Sequence, residues 1–262
     1  MIFYSVRMSV TAVLTLYKRP YTLVEQLEAV QNQSVPPQKV IIWKNAAPGV
    51  EIPEIPATLM KNVTIINSSE NFGVWARFAV GLLVNTDYIC VFDDDTIPGR
   101  RWFENCLNTQ KTHPGLLGAI GIVFDKGSEY KGKRYGWDGV CDEPTEVDIV
   151  GHAWFFRQEW LSYLWQFHPS YDIMIRAGED IGFSYMLQRY GIKTYVPPHP
   201  KDDLELYGSH PKKAMQYGTD SAAITSDANI FPIFRGLLQH FIETLGFETI
   251  NNRKAKAEEK KA

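Results

Sequence analysis

The stretch YICVFDDDT, residues 88–96, decides the fold. Five apolar or aromatic residues followed at once by three aspartates predict a strand buried on both faces that ends in an acidic loop. Three carboxylates at the end of a buried strand repel one another strongly unless a cation neutralises them. Because side chains alternate along a strand, Asp93 and Asp95 are expected to point to one side and Asp94 to the other. The stretch therefore predicts an Asp-x-Asp site for Mg²⁺ or Mn²⁺, which would in turn bind a diphosphate.

A simpler interpretation of the same aspartates is an acidic turn that caps a following helix. Pro98 is expected to begin that helix, and both Asp and Thr are favoured just before a helix starts. A cap accounts for one Asp or for Thr96, whereas it does not account for three aspartates behind a buried strand.

The segments around the acidic stretch alternate between strand and helix patterns. Strands are predicted at 9–16, 39–43, 63–66, 88–92, 116–124 and 193–196, and helices at 22–33, 75–85, 98–107, 158–165 and 180–190. Strand and helix in alternation predict a mainly parallel α/β sheet flanked by helices, with ligands gathered beyond the carboxyl ends of its strands. Residues 125–142 are expected to form a long mobile loop. One domain is expected over residues 1–245, followed by a solvated tail over 246–262, of which the last segment, residues 253–262, is expected to be disordered.

Composition excludes several classes of protein. The formal net charge is −3, so no positive field exists to gather nucleic acid. The three cysteines show no zinc-binding or disulfide spacing, which favours a reducing, cytoplasmic location. No stretch reaches the roughly 20 apolar residues that a membrane span needs. Glycine-rich phosphate loops are absent from the sequence, which disfavours P-loop enzymes and dinucleotide oxidoreductases.

Five segments occur in an order that resembles one enzyme family. They are TLYKRP, KVIIWKN, ENFGVWARFAVGLL, TDYICVFDDD and GEDIGFSYML, and the resemblance covers most of residues 9–225. This order is similar to that of GT-A glycosyltransferases, both family 2 and exostosin-like enzymes. The resemblance implies a Rossmann-like GT-A fold in one domain. It also implies metal-dependent transfer of a sugar from a nucleoside diphosphate donor, expected to be a UDP-sugar, to a hydroxyl of a glycan acceptor.

The resemblance assigns roles to individual residues. The residues expected to bind the nucleotide-sugar are Thr15, Tyr17, Arg19, Asn71, Gly73, Arg77, Asp93 and Asp94. Asp95 is expected to bind the metal. Enzymes of this kind often bring a C-terminal histidine to the metal, for which His199 is the first choice and His210 the second. From the residues alone, Arg77 is equally well explained as a solvated helix arginine.

The pair Glu179 and Asp180 is expected to face the reacting carbon. Acidic residues are also common in a first helical turn, because they complement the helix dipole. The resemblance assigns Asp180 the role of general base in an inverting transfer. In a retaining, exostosin-like enzyme the same carboxylate would instead lie near the anomeric centre. His152, Trp154 and Glu179 are expected to line the acceptor pocket, although Trp154 fits a place in the core equally well.

Three alternative functions stay open at this point. One is the retaining transferase, and another is a sugar nucleotidyltransferase, which also needs an Asp-bound metal. The latter lacks its usual glycine-rich start after the first strand. The last is a non-catalytic sugar-binding protein that keeps the fold.

Overall fold

The computed structural model describes residues 8–168, 176–223, 227 and 229–260. The strands in this part of the chain are β1 Val10–Leu16, β2 Lys39–Lys44, β3 Val63–Asn67, β4 Tyr88–Phe92, β5 Gly115–Leu117, β6 Ile120–Phe124, β7 Gly132–Gly136, β8 Thr145–Glu146, β9 Ile149–Gly151, β10 Ala153–Arg157 and β11 Lys193–Val196. The helices are α1 Leu23–Gln31, α2 Ala76–Ala79, α3 Trp102–Thr112, α4 Leu161–Leu164, α5 Glu179–Gln188, α6 Pro211–Gly218, α7 Ile230–Glu243 and α8 Ile250–Glu259.

The main sheet has eight strands in the order β3-β2-β1-β4-β10-β5-β11-β8. Strands β3, β2, β1 and β4 pair in parallel, as do β5 and β11. Strand β10 runs antiparallel between β4 and β5, and β8 runs antiparallel to β11 at the edge. A smaller sheet has the order β7-β6-β9. The expected single α/β domain with a mainly parallel sheet is confirmed.

The register of the central strands brings the ends of β1 and β4 and the start of β10 to the same edge of the sheet. Val13 of β1 pairs with Val91 of β4, so β1 and β4 end side by side. Ala153, the first residue of β10, pairs with Phe92, the last residue of β4. His152 therefore lies next to the aspartates that follow β4. This placement depends on an antiparallel pairing between two strands, β4 and β10, that lie more than 50 residues apart in the sequence.

Apolar side chains cover both faces of the sheet. One buried cluster includes Phe78, Phe156 and Phe183, and the other includes Leu27 and Phe103. Fully burying a side chain of this size contributes about 1.5–3 kcal/mol. All five residues of β4 are buried, as expected for a strand covered on both faces.

Three expectations about local structure are wrong. The single strand expected over 116–124 is two strands, separated at Gly118, where a Cβ atom would lie 2.4 Å from the side chain of Val150. The mobile loop expected over 125–142 contains β7, which pairs with β6 as a hairpin. The disorder expected over 253–262 is replaced by most of α8, whose first turn is capped by the Thr249 side chain.

The end of the chain is also attached to the rest of the domain. Phe247 is 2 % exposed and belongs to the larger core cluster. Asp148 accepts the backbone N–H of Ile250 at 2.6 Å. Across the described residues, every helix is too short or too polar to cross a membrane.

Candidate functional site

A cleft of about 680 Å³ opens at the carboxyl ends of β1, β2 and β4. Most of the residues predicted to form the site line it, namely Thr15, Tyr17, Arg19, Asn71, Gly73, Arg77, Asp93, Asp94, Asp95, His152, Trp154, Glu179 and Asp180. His199 does not line this cleft. The fold therefore brings together residues that are spread over 166 positions of the sequence.

The loop that carries the aspartates is held by two polar side chains of the first helical region. The Gln26 amide donates to the backbone oxygens of Asp93 and Thr96, both at 2.7 Å. The Thr22 hydroxyl donates to the backbone oxygen of Asp94 at 2.6 Å. These bonds occupy the loop backbone, so the three carboxylates extend from a fixed support.

His152 completes a cluster with the first and third aspartates. Its Nδ1 lies 3.6 Å from Asp95 Oδ1 and 3.9 Å from Asp93 Oδ2. The His152 backbone oxygen accepts the Asp93 N–H at 3.0 Å and the Thr96 hydroxyl at 3.1 Å. Its φ angle is 67°, a left-handed conformation that is costly for a residue with a Cβ atom. Strain of this kind persists where the surrounding contacts hold a side chain in a required position.

The cluster has the composition and size of a divalent cation site. Asp93, Asp95 and His152 each offer one ligand atom, and these atoms all lie within 4.8 Å of one another. Ligands of Mg²⁺ lie about 2.0–2.1 Å from the ion, so small side-chain shifts bring the three atoms into range. The residues present therefore fit a cation. His152, expected in the acceptor pocket, lines the cleft with its imidazole beside Asp93 and Asp95.

Two buried arginines form ion pairs with the acidic side chains of the cleft. Arg77 contacts Asp93 with one nitrogen and Glu179 with the other, the second contact at 2.5 Å. Its guanidinium also lies over the Trp154 ring, 4.4 Å from the centroid. Arg77 is 6 % exposed, so the interpretation as a solvated helix arginine is wrong. It links the acidic loop to the start of α5.

Arg19 has the corresponding place on the other side of the loop. Its Nη1 lies 2.5 Å from Asp94 and 3.6 Å from Asp95, and its Nη2 lies 3.0 Å from Asp220. Asp94 thus turns away from the cation cluster and towards Arg19. This division agrees with the expectation from strand alternation, although the three aspartates follow β4 and Asp94 and Asp95 lie in a turn.

Charge and burial shift the pKa values of the cluster in different directions. Burial raises the pKa of Asp93, although Arg77 opposes that rise. Burial would also raise the pKa of Asp95, but His152 and Arg19 outweigh it and lower that pKa. Burial would lower the pKa of His152, and Asp95 outweighs it, so the pKa of His152 is raised. Without a cation, His152 and Asp95 favour an ion pair; a cation requires the neutral imidazole and competes with that proton.

Glu179 and Asp180 begin α5 immediately after Gly178, whose φ is 88°. The helix approaches Trp75 closely at Gly182, where a Cβ atom would lie 2.3 Å from the indole ring. The Trp75 indole donates to the Ala177 oxygen at 3.2 Å. These contacts fix the start of α5 against the segment that carries Arg77.

The two acidic residues at this helix start have different partners. Arg77 holds Glu179, whereas Asp180 accepts its neighbouring Ile181 N–H at 2.7 Å and the Tyr130 hydroxyl at 3.4 Å. Burial raises the pKa of Glu179 to about 7 and that of Asp180 to about 6. Asp180 is therefore mostly ionised at neutral pH. Among the described residues it has no arginine or lysine within salt-bridge distance, which leaves its carboxylate able to take a proton.

Polar side chains around the end of β1 also line the cleft. The Asn71 amide donates to the Tyr17 hydroxyl at 3.0 Å, and the Gly73 N–H donates to the Asn71 side-chain oxygen at 2.9 Å. Asn45 donates to Asn71 at 2.8 Å and fixes its orientation. The Thr15 hydroxyl is buried and has no hydrogen-bond partner among the described residues. A buried orphan hydroxyl at the cleft is available to a ligand.

Two sequence-based expectations about aromatic or histidine side chains disagree with the geometry. His199 is fully buried; its Nδ1 lies 2.7 Å from the Pro197 oxygen, and its Nε2 accepts the Gly208 N–H at 3.3 Å. With both ring nitrogens occupied in the core, His199 is not a metal ligand, and burial lowers its pKa to about 4. Trp154 is 2 % exposed and covered by Arg77, so it supports that arginine and offers no open ring face to a sugar.

Three residues of the site had no assignment from sequence. Asp220 binds Arg19 from a position 201 residues later, Tyr130 lies in the segment expected to be a mobile loop, and Asn45 follows β2. Of these three, Asn45 was predictable in principle, because it follows the carboxyl end of a predicted parallel strand, where ligands bind. The other two positions have no local pattern that singles them out.

Most of this chain is similar to known proteins, in sequence over part of its length and in fold over nearly all of it. Residues 11–165 match the sequence profile of glycosyl transferase family 2. The S. aureus TarS crystal structure aligns with 89 % of this chain and 44 % of that chain, at a TM-score of 0.53 and 14 % identity. The crystal structure of S. aureus TarS 1-349 aligns with 90 % of this chain and 73 % of that chain, also at 0.53 and 14 %. No curated protein sequence matches this chain significantly.

The sequence match and the structural similarity differ in what they show about this chain. At 14 % identity the structural likeness concerns the fold alone, and the chain spans less than half the length of the first TarS chain. The profile match includes Asp93, Asp95 and His152 but ends before Glu179 and Asp180.

Proposed function

Since the chain belongs to glycosyl transferase family 2, we propose that it transfers a sugar from a nucleoside diphosphate donor, a UDP-sugar, to a saccharide hydroxyl. The expected relation to GT-A glycosyltransferases is confirmed, and the family favours transfer over nucleotidyl transfer or sugar binding alone. One observation supports the proposed metal dependence and the proposed general base. The cluster of Asp93, Asp95 and His152 shares a cleft with Asp180, so a cation site and a candidate base face the same space.

The cation is proposed to be Mn²⁺ or Mg²⁺, held by Asp93, Asp95 and His152. Two carboxylates suit either ion, whereas the imidazole nitrogen favours Mn²⁺. When bound, the cation supplies positive charge that stabilises the departing diphosphate. Arg19 lies on the Asp94 side of the loop, and its guanidinium is 3.6 Å from Asp95. We propose that it contributes further positive charge to the phosphate region.

The nucleotide is proposed to occupy the end of the cleft formed by Thr15, Tyr17, Asn71 and Gly73. This end offers the unpartnered Thr15 hydroxyl, the Tyr17 ring and the amide of Asn71. The Asn45 contact orients that amide before a ligand arrives. A preoriented polar wall lowers the cost of ordering side chains on binding.

Asp180 is proposed to act as the general base of an inverting transfer. The acceptor oxygen attacks the anomeric carbon, the bond from that carbon to the diphosphate breaks, and Asp180 takes the hydroxyl proton. Glu179 is unsuited to this role because Arg77 already binds its carboxylate at 2.5 Å. Its proposed role, in place of direct acceptor binding, is to hold Arg77 and thereby the acidic loop.

The proposal is tested with a panel of UDP-, GDP- and dTDP-sugars and simple glycosides in the presence of Mn²⁺. We expect release of UDP from at least one donor, and an inverted anomeric configuration in the product by NMR. Asp180→Asn should lower transfer by about 10²–10⁴-fold without changing UDP affinity. Asp203→Asn, which alters a surface contact with Arg101, is the matched control and should behave as the unmodified protein. Full turnover in Asp180→Asn contradicts the base assignment, and failure of every donor contradicts the proposed reaction.

A further inference from the structure

The Asp180 carboxylate is held at both of its oxygen atoms. Oδ1 accepts the backbone N–H of Ile181 at 2.7 Å, and Oδ2 accepts the hydroxyl of Tyr130 at 3.4 Å. This second bond is longer than most hydroxyl bonds to oxygen. Hydrogen bonds in active sites are often long before the substrate binds, and they shorten in its complex. Among the described residues, Tyr130 is the one side chain that hydrogen-bonds to Asp180, so the orientation of Oδ2 depends on where Tyr130 lies.

The Tyr130 ring is fixed by aromatic packing on two sides. Its centroid lies 5.3 Å from that of Phe124, at the end of β6, and 5.2 Å from that of Phe234 on α7. Tilted ring pairs at such distances are favourable. Asp180 lines the cleft and Tyr130 does not. Tyr130 therefore contacts the candidate base without lining the space that the substrates occupy.

The loop between β6 and β7, which carries Tyr130, is closed on itself and attached to the last helix. The Asp125 N–H donates to the Lys131 oxygen at 2.9 Å, which brings the two ends of the loop together. Gly127 donates its N–H to the Asn252 side chain of α8 at 3.0 Å and accepts the amide of that side chain at 3.2 Å. The position of Tyr130 is thus set by the assembled fold on both sides of its ring.

The Tyr130 hydroxyl favours the ionised form of the Asp180 carboxyl. Burial raises the pKa of Asp180 to about 6, and the Ile181 N–H, Arg77 and the Tyr130 hydroxyl oppose that rise. Burial also raises the pKa of Tyr130 well above its usual range, so the phenol keeps its proton at neutral pH. A protonated phenol donates to a carboxylate and stabilises its charge.

Apart from the cation cluster, other charged groups face Asp180 or Tyr130 or line the cleft with Asp180, namely Arg77 from α2, Arg134 from β7, Glu179 from the first turn of α5, and Arg176 and Asp227 from the segments before α5 and α7. Each of these groups influences the charge of the site through space. A change confined to the Tyr130 hydroxyl leaves all of them in place, so its effect isolates the one hydrogen bond.

We propose that Tyr130 is a positioning residue for the transfer reaction, whose hydroxyl holds the Asp180 carboxylate in the orientation in which it takes the acceptor proton. This inference rests on the proposed function, because it concerns the base of that reaction. The acceptor proton passes to Asp180 alone. Tyr130 gives up no proton and forms no bond to a substrate.

The test is Tyr130→Phe, which keeps the ring between Phe124 and Phe234 and removes only the hydroxyl. The midpoint of the pH profile of kcat/KM is expected to rise by about 0.5–1 pH unit, because the carboxylate loses a donor to its charged form. At a pH above both midpoints, kcat should fall at least about threefold because the base is less well oriented. The donor KM and the affinity for Mn²⁺ should stay unchanged.

Tyr185→Phe is the matched control. Tyr185 lies on the same helix as Asp180 and is 6 % exposed, and its hydroxyl donates to the Leu245 oxygen at 3.0 Å. It does not line the cleft. This variant also loses one hydrogen bond of a tyrosine, so it reproduces a merely structural effect. Its pH midpoint and kcat should match those of the unmodified protein.

A second measurement needs neither turnover nor a ligand. The ionisation of Asp180 is followed by ¹³C NMR of the carboxyl carbons in protein labelled at aspartate. The Asp180 signal is assigned by its loss in Asp180→Asn. We expect a higher titration midpoint for this signal in Tyr130→Phe and an unchanged midpoint in Tyr185→Phe.

The outcomes separate this inference from the reaction itself. If the unmodified protein transfers no sugar, the proposed function fails, and the NMR titration then decides the inference. A raised Asp180 midpoint that is confined to Tyr130→Phe supports it. Equal midpoints in all three proteins, or a shift of the same size in Tyr185→Phe, overturn it. In an active protein, an unchanged kcat in Tyr130→Phe also overturns it and leaves the transferase intact.

Discussion

The guanidinium of Arg77 lies 2.5 Å from the carboxylate of Glu179, although 102 positions separate the two residues. A second nitrogen of the same guanidinium contacts Asp93. One side chain thus joins the acidic loop after β4 to the first turn of α5. Because Asp180 follows Glu179 directly, this contact fixes the candidate base relative to the cation cluster.

We expect Arg77→Met to destabilise the protein by up to about 3–5 kcal/mol, because it leaves two partly buried carboxylates without their cation. The measurement is urea unfolding followed by tryptophan fluorescence. Arg157→Met is the matched control: Arg157 is an exposed arginine that lies 3.8 Å from the exposed Glu159. That control should change the free energy of unfolding by no more than about 0.5 kcal/mol. Equal effects of the two substitutions would contradict the structural role of Arg77.

The pH dependence of transfer should report the ionisation of Asp180. Burial raises the pKa of this carboxyl to about 6, and only the ionised form can accept a proton from the acceptor. The value of kcat/KM is expected to rise with pH through about 6 and then level off. One pH unit below that midpoint, the rate should be about a tenth of the plateau. A flat profile between pH 5 and 7, with donor binding shown to be constant, excludes Asp180 as the base.

Asp220 is expected to hold the segment that follows α6 against the cleft. It pairs with Arg19 at 3.0 Å and accepts the Tyr21 hydroxyl, while Gly218 and Ala222 line the cleft nearby. Asp220→Asn removes a charge-assisted contact of about 1.5–3 kcal/mol. We expect the donor KM to rise by roughly tenfold to a hundredfold, with faster hydrogen exchange in residues 217–223. The change should exceed that of Asp203→Asn; indistinguishable donor KM values would show that this contact has no part in donor binding.

His199 should make stability depend on pH in a defined window. Burial lowers its pKa from 6.5 to about 4, so between these values the unfolded chain binds more protons than the folded chain. The stabilising contribution is therefore complete above about pH 6.5 and is lost as pH falls towards 4. It amounts to at most about 3 kcal/mol. Asp148, whose pKa burial raises to about 6, acts in the opposite direction over an overlapping range.

Comparison with His199→Gln isolates this contribution, because Asp148 is present in both proteins. The free energy of unfolding should fall less steeply between pH 6.5 and 4 in His199→Gln than in the unmodified protein. Identical slopes would show that the buried imidazole ionises in the folded state as readily as in the unfolded state.

The acidic site was predictable where it depends on local pattern. A run of buried β-forming residues predicted β4. The expected separation of Asp94 from Asp93 and Asp95 is also found, although it arises in the turn after the strand. The histidine was not predictable by the same means. His152 reaches the cluster because β10 runs antiparallel to β4, with Ala153 opposite Phe92, and a local pattern does not reveal the direction of such a long-range pairing.

His199 illustrates the reverse case. Its position after β11 and between prolines resembles a loop at the mouth of a site. Its backbone instead pairs with Cys141 of the segment expected to be a mobile loop, and this pairing draws the ring into the core. Asp220 was also out of reach, since its partner Arg19 lies 201 positions earlier. Contacts between residues so far apart in the sequence form only when the whole domain has folded.

The most direct test of the central claim is a Mn²⁺ titration by electron paramagnetic resonance in the presence of UDP. The unmodified protein is expected to bind one Mn²⁺. Asp95→Asn and His152→Gln should each weaken that binding by at least about tenfold, while His199→Gln should leave it unchanged. Equal Mn²⁺ affinity in all four proteins, or no Mn²⁺ binding by the unmodified protein, would contradict a cation site formed by Asp93, Asp95 and His152.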